Sequence, residues 1–207
     1  MKKVLLSMAA ILIAGVTFGQ AKWGIVAGPQ FSSVATKNFT SNGKETSKIL
    51  TSIRAGVTVD IPLADEFYIG TGLLYSGKGG KFKNTDMKVS LGYLQLPINF
   101  MFKPEVGSGR LVLAVGPYIA YGVSGKYKDI PLVGERKAFD DEATALLKLK
   151  RFDAGGNLAI GYEMPMGLYF GLNADLGMVN AFDNTNNDRK FKNTSFGVSV
   201  GYKFSGR

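Results

Sequence analysis

Few side chains in this sequence could carry out chemistry, because it contains neither histidine nor cysteine. Without cysteine there is no disulfide, no thiolate metal site and no cysteine nucleophile. Without histidine, the usual general base near neutral pH and the commonest metal ligand are missing. An enzyme with this sequence would have to use carboxylates, lysine, tyrosine or serine.

Two acidic pairs could be offered as calcium ligands or acid–base groups. They are Asp140 with Asp141, and Asp183 with Asp188. Such spacing is equally typical of solvated loop charges, so it is weak support for a site. The Gly-Lys-Gly-Gly stretch at residues 77–80 lacks the spacing and the following helix of a phosphate loop. We therefore predict no catalytic site, no metal site and no cofactor.

A stronger set of candidates is formed by single charges placed within alternating segments. These residues are Arg54, Asp60, Lys78, Asp153, Glu163, Asp175 and Lys203. Arg54 and Asp175 lie near the middle of their segments, and Asp60, Glu163 and Lys203 lie near one end. Because an unpaired charge in a closed interior is costly, we expect ion pairs that fill that interior. The alternative is a gate or a proton path.

The elements that would position these charges are eight segments in which apolar and polar residues alternate. They are residues 22–32, 49–61, 67–78, 91–102, 110–126, 152–163, 168–178 and 193–204. Long connections follow the first, third, fifth and seventh segments, and short turns follow the others. This pattern predicts an all-β fold, an eight-stranded antiparallel up-and-down barrel, in one domain of residues 22–204. Bulges or register changes are expected near Pro29, Pro97 and Pro117.

The N-terminus predicts export. Two lysines precede an apolar run at residues 4–18, and small residues follow it, so residues 1–19 are expected to be a signal peptide cleaved after residue 19 or 21. A membrane anchor is the less favoured alternative, because the run is shorter than the ~20 residues of a spanning helix.

The bulky face of the strands could point into a soluble barrel of lipocalin type or out into lipid. The polar face is mostly small residues and has fewer charges than a solvated surface. Aromatic residues on the bulky face also fall near strand ends, as in the girdles of membrane barrels. Near the short turns these are Trp23, Phe67, Phe102, Tyr162, Phe170, Tyr202 and Phe204, and near the long connections Phe31, Tyr75, Tyr121 and Phe152. The sequence favours a transmembrane barrel with its termini and short turns in the periplasm.

The formal net charge of +9 suggests anionic partners. The basic residues are scattered and cluster only in presumed loops, at residues 78–83, 148–151 and 189–192. This distribution does not predict a nucleic-acid partner. It favours outer-membrane lipid head groups and the phosphates of lipopolysaccharide.

Four segments in this order resemble the PorT-like family of small outer-membrane β-barrels. They are Tyr-Leu-Gln-Leu-Pro-Ile at residues 93–98, Gly-Pro-Tyr-Ile-Ala-Tyr at 116–121, Phe-Asp-Ala-Gly-Gly at 152–156 and Gly-Tyr-Lys-Phe at 201–204. The resemblance implies a barrel in the outer membrane of a Gram-negative bacterium, and a last strand recognised by the barrel-assembly machinery. Three residues follow Phe204 here, which departs from the family's aromatic ending. PorT itself is associated with a secretion apparatus, a role that fold-level likeness does not transfer.

We therefore expect a non-catalytic outer-membrane barrel with a narrow, plugged polar lumen. Its long external loops, above all residues 33–48 and 127–151, would contact a surface or secretion partner. The alternatives are a transport or secretion component, in which the lumen or the periplasmic turns matter, and a soluble periplasmic ligand-binding barrel.

Overall fold

The computed structural model describes residues 21–37, 43–82, 87–130, 134–139, 148–182 and 190–204. The expected signal peptide at residues 1–19 lies outside the described residues, as do the acidic pairs at 140–141 and 183–188. Nowhere in the described ranges is there a helix with the length and apolarity needed to cross a membrane.

The described residues form eleven strands in one sheet. The eight long ones are β1 (Lys22–Lys37), β3 (Leu50–Ala64), β4 (Phe67–Lys81), β5 (Lys88–Phe102), β7 (Gly109–Ile130), β9 (Phe152–Glu163), β10 (Leu168–Gly177) and β11 (Lys190–Lys203). The three short ones are β2 (Lys44–Thr46), β6 (Glu105–Val106) and β8 (Gly134–Lys137).

The sheet closes on itself. Each long strand pairs antiparallel with the next long strand along the chain, and β1 pairs with β11 from Gly24 opposite Lys203 to Lys37 opposite Lys190. Closure removes the free lateral edges that an open sheet would expose. The prediction of an eight-stranded antiparallel up-and-down barrel is confirmed.

The bulky apolar face of the strands lies outside the barrel. Ile53 and Leu172 are 54% and 56% exposed, whereas Arg54 and Asp175 are 7% and 0% exposed. An apolar surface that surrounds a whole barrel needs hydrocarbon rather than water around it. The lipocalin-type alternative, with this face inside, is wrong.

Several strands continue into segments predicted as loops. β1 reaches Lys37, β4 and β5 reach Lys81 and Lys88, and β7 reaches Ile130. The predicted loops at residues 33–48 and 127–151, and the connection predicted after residue 78, are thus partly strand. We call the end with these extensions the loop end, and the opposite end, with the short turns, the turn end.

The expected register changes at three strand prolines were wrong. The pairing register is the same on both sides of Pro29, Pro97 and Pro117. A proline lacks the N–H group, so it removes a ladder hydrogen bond without requiring an extra residue. The Pro97 carbonyl instead accepts a hydrogen bond from the Thr71 hydroxyl at 2.9 Å. The register shifts lie elsewhere, between Pro62 and Ala64, Gly92 and Tyr93, and Tyr127 and Ile130.

Candidate functional site in the barrel interior

The middle of the lumen is organised around Asp175, which is fully buried. Arg54 on β3 reaches across the lumen and places its Nη1 atom 3.4 and 3.3 Å from the two carboxylate oxygens. Gln95 Nε2 donates to the same carboxylate at 3.1 Å, and Asn157 Nδ2 and Ser195 Oγ donate as well. One carboxylate on β10 therefore links four other strands through hydrogen bonds.

A second polar link joins β11, β1 and β4 beside this group. Gln30 Nε2 on β1 donates to Ser76 Oγ at 3.1 Å and to Ser195 Oγ at 2.7 Å. All three side chains are buried. The polar residues of the inner face thus link neighbouring strands as well as filling space.

At the turn end, two lysines and two carboxylates form a continuous network. Lys103 Nζ lies 2.5 Å from Asp60 Oδ2 and 2.7 Å from Glu163 Oε2, and Lys203 Nζ lies 2.7 Å from Asp60 Oδ1. Lys103 follows the last residue of β5. Burial lowers the pKa of Lys103, but the Asp60 and Glu163 carboxylates outweigh burial and hold that pKa above its ordinary value. Lys103 is therefore charged at neutral pH.

Towards the loop end, Lys78 pairs with Asp153. The Lys78 Nζ atom lies 3.1 Å from Asp153 Oδ2 and 4.1 Å from the centre of the Tyr118 ring. The Tyr118 hydroxyl and Asn193 Nδ2 donate to the same carboxylate oxygen. The cation is thus held by an ion pair and by a cation–π contact.

The structure brings all seven charged residues named from the sequence into the lumen and adds an eighth, Lys103. In these three layers the four cations are balanced by the four carboxylates. The sequence prediction placed Lys103 in the turn after this strand, where it lies, but did not include it among the lumen charges. The inner face of β5 runs through Tyr93, Gln95 and Met101, so one more step of the alternation would have found Lys103.

Beyond Lys78, the interior at the loop end is apolar, which corrects the expectation of a polar lumen throughout. Val34, Leu91, Tyr127 and Phe191 belong to one buried cluster there. Rings within it meet edge to face, such as Tyr93 with Phe139, whose centres are 5.9 Å apart. The strand extensions therefore enclose an ordinary hydrophobic core.

A small cavity lies between the middle layer and the turn-end network. Its volume is about 80 Å³, and its lining includes Arg54, Asp60, Lys103 and Asn157. Asn99, also on its wall, donates from Nδ2 to Asn157 Oδ1 at 2.7 Å. A polar cavity of this size has room for a few water molecules but not for a drug-sized ligand.

The aromatic residues named from the sequence lie on the outer surface. Trp23, Phe67, Phe170, Tyr202 and Phe204 are exposed near the turn end, Tyr75, Tyr121 and Phe152 are exposed nearer the loop end, and Phe31, Phe102 and Tyr162 are partly exposed. Some stack on each other, as Phe67 does on Phe102 with ring centres 5.1 Å apart.

The apolar outer surface and the closed sheet are those of an outer-membrane barrel, and a comparison of the sequence with known families gives the same class of protein. Residues 23–183, well over half of the chain, match the model of the outer membrane protein beta-barrel domain. The chain belongs to this family. As a member of the outer membrane protein beta-barrel domain family, it lies in the outer membrane of a Gram-negative bacterium, and the predicted localisation is confirmed. No curated protein sequence matches it.

Several solved barrels are similar to this one. Ail, the attachment invasion locus protein of Yersinia pestis, is 10% identical and has a TM-score of 0.49, with 89% of this chain and 99% of Ail covered. Neisserial surface protein A has the same identity, coverage and TM-score. The outer membrane enzyme PagL is 13% identical, with a TM-score of 0.46 and 84% and 98% coverage.

Proposed function

We propose that this member of the family is a non-catalytic, non-conducting barrel of PorT-like type that holds an external binding surface in the outer membrane. The observation that supports this proposal is the filled interior. Three layers of paired charges are stacked along the lumen, and an apolar cluster follows them at the loop end. The barrel would then act as an anchor rather than as a pore.

The energetics of this interior argue against ion passage. An ion moving through it would have to displace pairs such as Lys103 with Asp60 and Arg54 with Asp175, which are buried and hydrogen-bonded. Breaking a buried pair costs several kcal/mol, about 3–5, in known cases. The ion would then meet the mainly apolar cluster, whose buried side chains such as Val34, Leu91 and Phe191 cannot replace its hydration shell.

The external surface is formed by the strand extensions and the β7–β8 hairpin. β8 pairs with β7 beyond the point where β9 begins, so this hairpin extends the barrel wall past the end of β9. Its partners in this proposal are the outer-membrane lipid and lipopolysaccharide around it, and a surface or secretion partner. The barrel-assembly machinery would act earlier, on the β11 ending.

Planar-bilayer recording tests the closed lumen. The full-length mature chain is reconstituted beside an open porin of the same preparation, which shows that the assay detects a water-filled channel. We expect no steady openings from this protein at any holding potential. Steady, ion-sized openings would contradict the proposal.

Those openings would favour the second candidate, a transport or secretion component. The specific feature that supports this candidate is the cavity of about 80 Å³ next to the turn-end network. A path from the periplasm would begin there, between Lys103, Lys203 and Asn173. The same recording therefore separates the two functions.

A further inference from the structure

Four lysines stand side by side across four neighbouring segments near the loop end. Lys48 lies opposite Lys81, Lys81 opposite Lys88, and Lys88 opposite Lys128. Residues directly opposite each other in antiparallel pairs point to the same face of the sheet. We call these four residues the lysine row.

Placing like charges directly opposite one another destabilises a sheet, so the lysine row needs compensation. Asp129 lies 3.2 Å from Lys88, and Glu135 lies 3.7 Å from Lys128. At the other half of the row, no carboxylate of the described residues is within 4.0 Å of Lys48 or Lys81, and both lysines are exposed. Among the described residues, the row is therefore a concentrated positive charge that carboxylates neutralise only at the half formed by Lys88 and Lys128.

The direction of the lysine row identifies the side from which a ligand would approach. Tyr75 and Lys81 are both on the outward face of β4, six residues apart. Six residues of strand measure about 20 Å, so the row lies beyond the aromatic residues but on the same outer wall as the lipid-facing band. Its side chains point sideways, into the layer of head groups and sugars that surrounds the barrel.

The spacing of the lysine row suits a ligand with several anionic groups. Neighbouring strands are roughly 4.8 Å apart, so the four lysines extend over about 14 Å. One phosphate can lie between two such lysines and accept hydrogen bonds from both ammonium groups. A ligand with two or more phosphates would neutralise the repulsion along the whole row.

We propose that the lysine row binds a saccharide that carries several phosphate groups, of the kind displayed by lipopolysaccharide in the same membrane leaflet. This proposal rests on the proposed function, because it names a ligand for the external surface. The ligand is recognised through its phosphates, and the barrel holds the row at the level of the sugars.

The test measures the affinity of the full-length mature chain, in phosphatidylcholine nanodiscs, for the delipidated and phosphorylated core saccharide of lipopolysaccharide. The variant K48Q/K81Q removes the two lysines that have no carboxylate of the described residues within 4.0 Å. The control K126Q/K150Q removes two exposed lysines at the same end of the barrel, with the same change in net charge. We expect K48Q/K81Q to weaken Kd roughly tenfold or more and the control to weaken it less than about threefold.

Two further arms identify the ligand. The wild-type protein should bind the same saccharide at least roughly tenfold more weakly after its phosphates have been removed, a comparison that needs no variant. Inorganic phosphate at an equal concentration of phosphate groups should compete poorly, because it cannot contact several lysines at once.

Three results would overturn the proposal. They are an equal loss of affinity in the control variant, equal binding of the dephosphorylated saccharide, and full competition by inorganic phosphate. None of them depends on conductance. An open channel in the bilayer recording would overturn the proposed function while leaving the comparison of affinities valid.

Discussion

At the scale of single residues, the buried pair of Arg54 and Asp175 gives the sharpest test of the interior. Replacing Arg54 by Ala leaves the fully buried Asp175 carboxylate without its counter-charge. Such a loss typically costs about 3–5 kcal/mol, although the donors Gln95 and Asn157 would keep the cost toward the lower value. We expect the free energy of unfolding to fall by at least roughly 2–3 kcal/mol, measured by urea titration in detergent.

Lys22→Ala is the matched control for that substitution. Lys22 also approaches a carboxylate, Glu163, but the distance is 3.9 Å and its side chain is partly exposed. An exposed pair contributes about 0–1 kcal/mol. The double variant R54M/D175N should recover much of the loss of Arg54→Ala, because it removes both charges together and keeps an acceptor for Gln95 and Asn157. If Arg54→Ala were no more destabilised than Lys22→Ala, the ion pair would not stabilise the barrel.

The inward-facing charges could be predicted from the sequence because each is a charged residue on the otherwise small, polar side of an alternating segment. Their pairings were not. Arg54 and Asp175 are 121 positions apart along the chain, and their contact depends on how eight strands are staggered around the barrel. Neutral partners such as Gln95 and Asn157 gave no signal at all, since small polar residues are common on an inner face. Lys103 was missed because it stands one step beyond the last strand residue.

At the scale of elements, the ends of the extended strands were mispredicted because the polarity of the alternation reverses near the loop end, as β11 shows. In the membrane part of β11, Phe196 faces outward and Ser195 faces inward. Near the loop end of the same strand, Lys190 and Lys192 face outward and Phe191 is buried. When every strand is expected to contact lipid, a segment with a charged outer face is predicted to be a loop. It is a strand whose environment has changed from lipid to water.

Phe191→Ala tests whether the apolar cluster stabilises these extensions. Phe191 is fully buried and meets Phe182 edge to face, with ring centres 5.6 Å apart. Deleting a buried phenylalanine side chain costs about 3–5 kcal/mol through lost burial and the cavity that remains. We expect a loss of that size in the free energy of unfolding, measured in detergent.

Phe196→Ala is the control on the same strand. Phe196 faces outward, is half-exposed and stacks on Phe31. Its truncation removes contact mainly with detergent, so the loss should be less than half of that for Phe191→Ala. Equal losses, or a negligible effect of Phe191→Ala, would mean that the loop-end cluster is not a packed core.

At the scale of the whole molecule, the barrel combines two kinds of construction. The part towards the turn end is apolar outside and polar inside, and the part at the loop end has a hydrophobic core and a charged outer wall. Both parts share the same continuous strands, so one closed sheet satisfies the backbone in lipid and in water. The fold class and the outward-facing side of the strands could be predicted from the sequence, because the alternation of apolar and polar residues recurs in eight segments. The height at which the outer wall passes from lipid to water could not be predicted, because it depends on how far the strands extend.

That height can be measured with two identical substitutions on one strand. Val115 and Val123 both face outward on β7 and are 53% and 44% exposed, but only Val123 lies beyond the aromatic residue Tyr121. A lysine at the bilayer midplane of a barrel costs about 2–4 kcal/mol, and near the interface about 0–1. We expect Val115→Lys to lower the free energy of unfolding from phospholipid vesicles by the larger amount and Val123→Lys by the smaller. In detergent micelles, which adapt to a new charge more readily than a bilayer, the difference should shrink. Equal costs in vesicles would mean that Val115 does not face hydrocarbon. The assignment of the bulky apolar face to lipid, on which the lipid-embedded barrel depends, would then be wrong.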